Sequence, residues 1–91
     1  MKARTNVRRG TDIVLHCRIP VERAQAILCD ISDTGCRIQL FDGYVNKGTT
    51  IFFELDEQTD LAGQIVWVQG GEAGVRFMHK LSPAARKVLE I

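Results

Sequence analysis

The 91-residue chain predicts a mainly all-β fold, a six-stranded antiparallel β-barrel with a short C-terminal α-helix, and three observations carry that expectation. Most of the chain from Thr11 to Met78 falls into short runs that alternate apolar and polar side chains at period two. Turn-forming clusters rich in Gly and Asp separate those runs. A helix start signal, Ser82-Pro83, comes only after the last of them. Short strands in series followed by one helix suit a small barrel whose open end or side the helix covers.

In chain order, residues 1–10 come first as an arm, since from Lys2 to Gly10 Val7 is the one sizeable apolar side chain and no periodicity is present. The barrel domain with its terminal helix is residues 11–91. Ile13, Leu15, Cys17 and Ile19 alternate with Asp12, Val14, His16 and Arg18 up to Pro20, which predicts a half-buried first strand. Glu22 to Asp30 is the second, with the small residues Ala24 and Ala26 calling for a tight interior. Cys36 to Phe41 is the third, ending at the turn pair Asp42-Gly43. Thr49 to Leu55, β-branched and aromatic, is the fourth. Leu61 to Gln69 and Ala73 to Met78 form a hairpin around Gly70-Gly71. Ala84 to Ile91 is helical, with Val88 and Ile91 three residues apart on its apolar side.

Ninety-one residues support one core. No apolar run approaches the roughly 18 residues of a membrane span, and no apolar stretch follows the charged N-terminus as in a secretion signal. A cytoplasmic location with no membrane insertion is therefore expected. The net charge of +1 does not suit DNA or RNA as partner. The distribution is uneven: Lys2, Arg4, Arg8, Arg9 and Arg18 face a single acid, Asp12, within the first twenty residues. That local excess suits a small anion. Cys17, Cys29 and Cys36 match no zinc spacing and read as reduced strand residues, and His16 and His79 belong to no metal pattern, so neither metal nor cofactor is expected.

Candidate chemistry concentrates in two places. In Asp30-Ile31-Ser32-Asp33-Thr34-Gly35, residues two apart on extended backbone share a side, so Asp30 and Ser32 face one ligand while Ile31 packs the other way. Gly35 permits a tight turn or a close approach by a ligand. An ordinary Asx or Ser turn uses the same residue types. In the arm, Arg4 and Arg8 with the adjacent Arg9 offer planar guanidiniums able to clamp phosphates or read the O6 and N7 acceptors of guanine, and Asp30 could accept from guanine N1 and N2. Trp67 is a secondary candidate for stacking on a purine, although its alternation with Leu61 and Ile65 places it in the core. Ser32, His16 and Asp30 form no recognisable catalytic pattern, so an enzyme is not expected.

Arg4-x-x-x-Arg8 followed about twenty residues later by Asp30-x-Ser32-x-x-Gly35 resembles the two-part motif of the PilZ domain. The likeness continues through Gly63-Gln64-Ile65-Val66-Trp67-Val68, Ala73-Gly74-Val75-Arg76-Phe77 and Leu81-Ser82-Pro83. The resemblance implies a six-stranded antiparallel barrel that binds cyclic di-GMP, a bacterial second messenger, and passes its presence to a partner domain or protein. It implies Arg4 and Arg8 as phosphate and guanine ligands, with Asp30, Ser32 and Gly35 as the guanine-side surface. Arg9 joins them as an arginine beside the motif. Separately, an arm so poor in apolar residues is expected to become ordered only on the ligand. Members with weaker motifs act as nucleotide-free protein-interaction adaptors, which is the competing expectation.

Overall fold

A computed structural model of the chain describes residues 9–19, 22–41, 45–56 and 59–90, with the backbone alone at Arg9, Gly10 and Asp12. The elements are β1 (Arg9–Ile19), β2 (Glu22–Ile31), β3 (Gly35–Leu40), β4 (Thr50–Glu54), β5 (Asp60–Gln69), β6 (Glu72–Phe77) and α1 (Pro83–Leu89). The strands close in the order β1-β2-β3-β6-β5-β4, antiparallel throughout, with β4 returning to β1. This is the barrel and terminal helix expected from the alternation. No helix among the described residues is long and apolar enough to cross a membrane.

Alternation fills the interior. Leu28, Ile38, Ile51, Phe53 and Ile65 are buried almost completely and pack together with Cys17, Cys36 and Val75. The Gly70-Gly71 hairpin has both glycines at positive φ, +61° and +83°, the geometry of the tight two-residue turn predicted there. The loop residue Val45 also enters the core, which periodicity could not announce. The turn expected at Asp42-Gly43 lies outside the described residues.

Two bulges change the phase of that alternation, and both bear on function. Strict alternation from Ala24, Ala26 and Leu28 would aim Asp30 inward. The β2–β3 register instead skips Cys29, pairing Leu28 with Ile38 and Asp30 with Arg37. Ile31 therefore enters the core, 1% exposed, and Asp30 is turned to the outer wall. Burying the isoleucine contributes about 1.5–3 kcal/mol, whereas a carboxylate in the barrel would cost several.

The second bulge lies in β5, between Ile65 and Trp67. It corrects the expectation that Trp67 packs in the core: the side chain is outside, 39% exposed. The indole lies on the sheet over Gly74, where any Cβ would overlap its Nε1, Cε2 and Cδ1 atoms. Only glycine leaves that floor open.

Two boundaries also differ. β1 begins at Arg9, so Arg9 and Gly10, assigned to the arm from their composition, are paired with Ile31 and Asp30. The helix spans Pro83–Leu89, with Ser82 Oγ accepting from Ala85 N at 3.0 Å as N-cap and Glu90 at φ 61° ending it. Its buried residues are Ala85 and Leu89, four apart, with the expected Val88 half-buried and Ile91 outside the described residues.

Candidate functional site

The Asp30–Gly35 stretch forms the end of β2, the turn and the start of β3, and each residue in it has a separate task. Ser32 is 3% exposed. Its N–H donates to Gly35 O at 2.8 Å, and its hydroxyl donates to the same carbonyl at 3.3 Å while accepting from Thr34 N at 3.4 Å. Thr34 O in turn accepts from Phe77 N at 2.8 Å, tying the turn to β6. Ser32 thus holds the turn from within. This departs from the expectation that it shares an open face with Asp30, because β2 ends at Ile31 and Ser32 belongs to the turn, where the two-residue alternation no longer holds.

Gly35 also has a structural use. A Cβ there would run into Val75 O of β6, so the glycine allows β3 and β6 to approach at their first pair, Gly35 with Arg76. Neither a left-handed turn nor a ligand is needed to account for it. Asp33 is exposed and accepts from Arg86 Nη1 of α1 at 2.8 Å, a surface pair worth at most about 1 kcal/mol.

Asp30 carries the charge of the site. Its side chain is 18% exposed, and Oδ2 accepts from Arg37 Nε at 2.9 Å. Arg37 Nη1 donates onward to Glu72 Oε1 at 3.1 Å, so one guanidinium bridges β2, β3 and β6. The hydrogen bond and charge of Asp30, and then the charge of Glu72, hold Arg37 above its ordinary pKa. Sequence reading missed Arg37 and Glu72. Folding the chain about the four residues Ser32 to Gly35 would have set Arg37 opposite Asp30.

Cross-strand register turns these residues into a row along the outer wall. Gly10 pairs with Asp30, Asp30 with Arg37, Arg37 with Gly74, and Gly74 with Trp67. The row crosses five strands and ends on the exposed indole. Arg9 pairs with Ile31, so the chain entering β1 arrives directly beside Asp30. Arg4 and Arg8 lie outside the described residues, as does the side chain of Arg9. The structure thus brings together Asp30, Ser32, Gly35 and the Arg9 backbone, with Trp67 at the far end of the same wall.

A closed antiparallel barrel with a terminal helix and an Asp-x-Ser-x-x-Gly turn beside the start of its first strand defines the class of domain. The family model described as the PilZ domain matches residues 2–90, and the chain belongs to that family, one associated with cyclic di-GMP binding. No curated protein matches the chain significantly.

Proposed function

We propose that this domain is a cyclic di-GMP receptor that works as a binding switch, ordering its N-terminal arm on the ligand and reporting to a partner domain or protein. The observation that carries the reading is the β1–β2 register. The residues that directly follow the first motif half lie against the second, since Gly10 is opposite Asp30 and Arg9 opposite Ile31. The chain that bears Arg4 and Arg8 therefore joins the barrel beside the Asp30 carboxylate.

In this reading Arg4 and Arg8 grip phosphate oxygens and the guanine O6 and N7 acceptors, where a forked guanidinium is suited to two acceptors at once. Asp30 accepts from guanine N1 and N2. Ser32 and Gly35 act beneath the surface, shaping the turn on which the base rests. Arg9 strengthens the cationic side, and Trp67 offers an exposed ring face for stacking, worth about 1–3 kcal/mol per base. Without a ligand, residues 2–8 have few apolar groups to offset an ordering cost of roughly 1–2 kcal/mol per residue. A doubly charged ligand held from arm and wall together supplies that difference and changes the surface a partner meets.

Calorimetric titration with cyclic di-GMP tests the reading, and saturable binding is the expected result. Absence of binding by a folded chain would transfer the domain to the nucleotide-free adaptors. Amide exchange on residues 2–8 tests the switch separately. Protection should appear only with ligand, and protection already complete in the free protein would remove the ordering step even if cyclic di-GMP binds.

A further inference from the structure

Arg37 has more contacts than a solvated strand residue requires. Its side chain is 40% exposed, yet the guanidinium is held at both ends, by Asp30 at 2.9 Å and Glu72 at 3.1 Å. Its direct partner on β6 is Gly74, which has no side chain to offer, so the reach to Glu72 is diagonal. Trp67 covers Gly74. These neighbours leave the guanidinium few alternative rotamers, and Asp30 inherits that order because Nε engages its Oδ2.

We propose that Arg37 is a positioning residue that sets base specificity: anchored by Glu72, it holds the Asp30 carboxylate in the orientation from which it accepts guanine N1–H and N2–H. This inference rests on the cyclic di-GMP reading above. A carboxylate has about four acceptor sites, so accepting from Arg37 fixes its plane without exhausting its capacity. A mostly covered carboxylate also needs donors in place of the water it has lost. Without Arg37 the carboxylate loses the donor that fixes Oδ2, and the fork of guanine donors then meets an acceptor pair less firmly directed. Phosphate contacts carry no base information. Loss of Arg37 should therefore reduce discrimination between bases more than it reduces attraction for a cyclic dinucleotide as such.

The test titrates the full chain, as wild type, Arg37→Gln, Arg37→Lys and Glu72→Gln, with cyclic di-GMP and with its hypoxanthine analogue, which lacks only the 2-amino groups. Wild type should prefer cyclic di-GMP by about 10- to 100-fold, the range of a hydrogen bond to a charged acceptor. Arg37→Gln should bring that preference to within about threefold of none, and Arg37→Lys should not restore it, because an ammonium cannot bridge both carboxylates as a planar fork does. Glu72→Gln, which leaves Asp30 untouched, should fall between. A merely structural role would lower melting temperature and both affinities together, with their ratio preserved. A folded Arg37→Gln that retains the wild-type ratio overturns the proposal. If that variant does not fold, an unchanged ratio in both Glu72→Gln and Arg37→Lys overturns it. Should wild type bind neither nucleotide, the receptor reading fails and this one with it, a result distinct from binding with unaltered preference.

Discussion

The barrel uses the same device twice, an arginine bridging two carboxylates across three strands, and the two places differ in what surrounds it. At the seam, Arg18 of β1 lies 3.2 Å from Glu54 of β4 and 2.9 Å from Asp60 of β5, with its guanidinium 5.1 Å from the Phe52 ring centre. The described β1–β4 register holds only His16 to Arg18 against Phe52 to Glu54. Side-chain bridging there reinforces a short ladder that closes the barrel. On the motif wall, Arg37 joins strands whose own ladders run from Ala26 to Ile31 and from Gly35 to Gln39. Closure there does not depend on the side chains. The contacts differ too, since Arg18 Nε is buried without a hydrogen bond among the described residues and only its Asp60 contact is one, whereas Arg37 donates to both of its carboxylates. A similar arrangement thus serves stability in one place and leaves a charged surface for recognition in the other.

The largest expected effects separate the two regions by affinity. Arg8→Ala should abolish measurable binding of cyclic di-GMP, costing about 2–5 kcal/mol, and Arg9→Ala should cost less because it stands outside the three-residue spacing. Asp30→Ala should lower affinity on a similar scale while taking only about 0.2–1 kcal/mol from stability, since Arg37 keeps Glu72. Calorimetry and thermal melts on the same samples check all three. An Asp30→Ala chain that unfolds at ordinary temperature would make Asp30 a turn-stabilising residue and erase the contrast with the seam.

Arg18→Met should show the opposite pattern. Two partly exposed ion pairs and a ring contact disappear, and Glu54 and Asp60, register partners on β4 and β5, are left facing each other. The loss should be about 1 kcal/mol after allowance for solvent screening, or roughly 4–8 °C in melting temperature for a domain of this size. Affinity for cyclic di-GMP should not change. A melting temperature equal to wild type would show that the backbone ladder closes the seam unaided.

What the sequence disclosed divides along the same line. Period-two runs, the Gly70-Gly71 turn and the Ser82-Pro83 cap were legible because each depends on neighbours in the chain. Ile31 was correctly placed inward. Trp67 was not legible, because a bulge shifts phase by one residue and leaves no local mark in composition, and Ser32 was not because β2 ends one residue before it. Arg37 and Glu72 were missed for a related reason: they meet through the β3–β6 register, between strands separated by two others in sequence. Gly74 illustrates the limit well. In the sequence it is one residue of an alternating strand, and only the indole lying over it explains why it carries no side chain.

The smallest expected effect uses the cysteines as reporters of the two regions. Cys17 is fully buried on β1 opposite Phe53, and burial, then the charge of Glu54, push its thiol up to about 11. Cys29 is half-buried at the β2 bulge; burial raises its pKa most, Arg37 lowers it, and Glu72 and Asp30 raise it. Thiolate is the reactive form. In native protein near pH 8 a thiol reagent should therefore label Cys29 first, with Cys17 and Cys36 following only on unfolding. Arg37→Gln should slow labelling at Cys29 by a few-fold, because the one lowering influence is removed, and should leave Cys17 protected. Arg18→Met should do the reverse, exposing Cys17 to the extent that the seam opens. The pH dependence has a defined sign: the folded state holds the Cys17 proton more tightly than the unfolded state. Its contribution to stability is thus complete below the ordinary value of 9.0 and is lost as pH rises to about 11. Melting curves across that window should decline for the wild type and decline less for Cys17→Ala. Equal labelling of Cys17 and Cys29 in the native protein would mean that the seam opens as readily as the wall, and that Arg18 does not hold it shut.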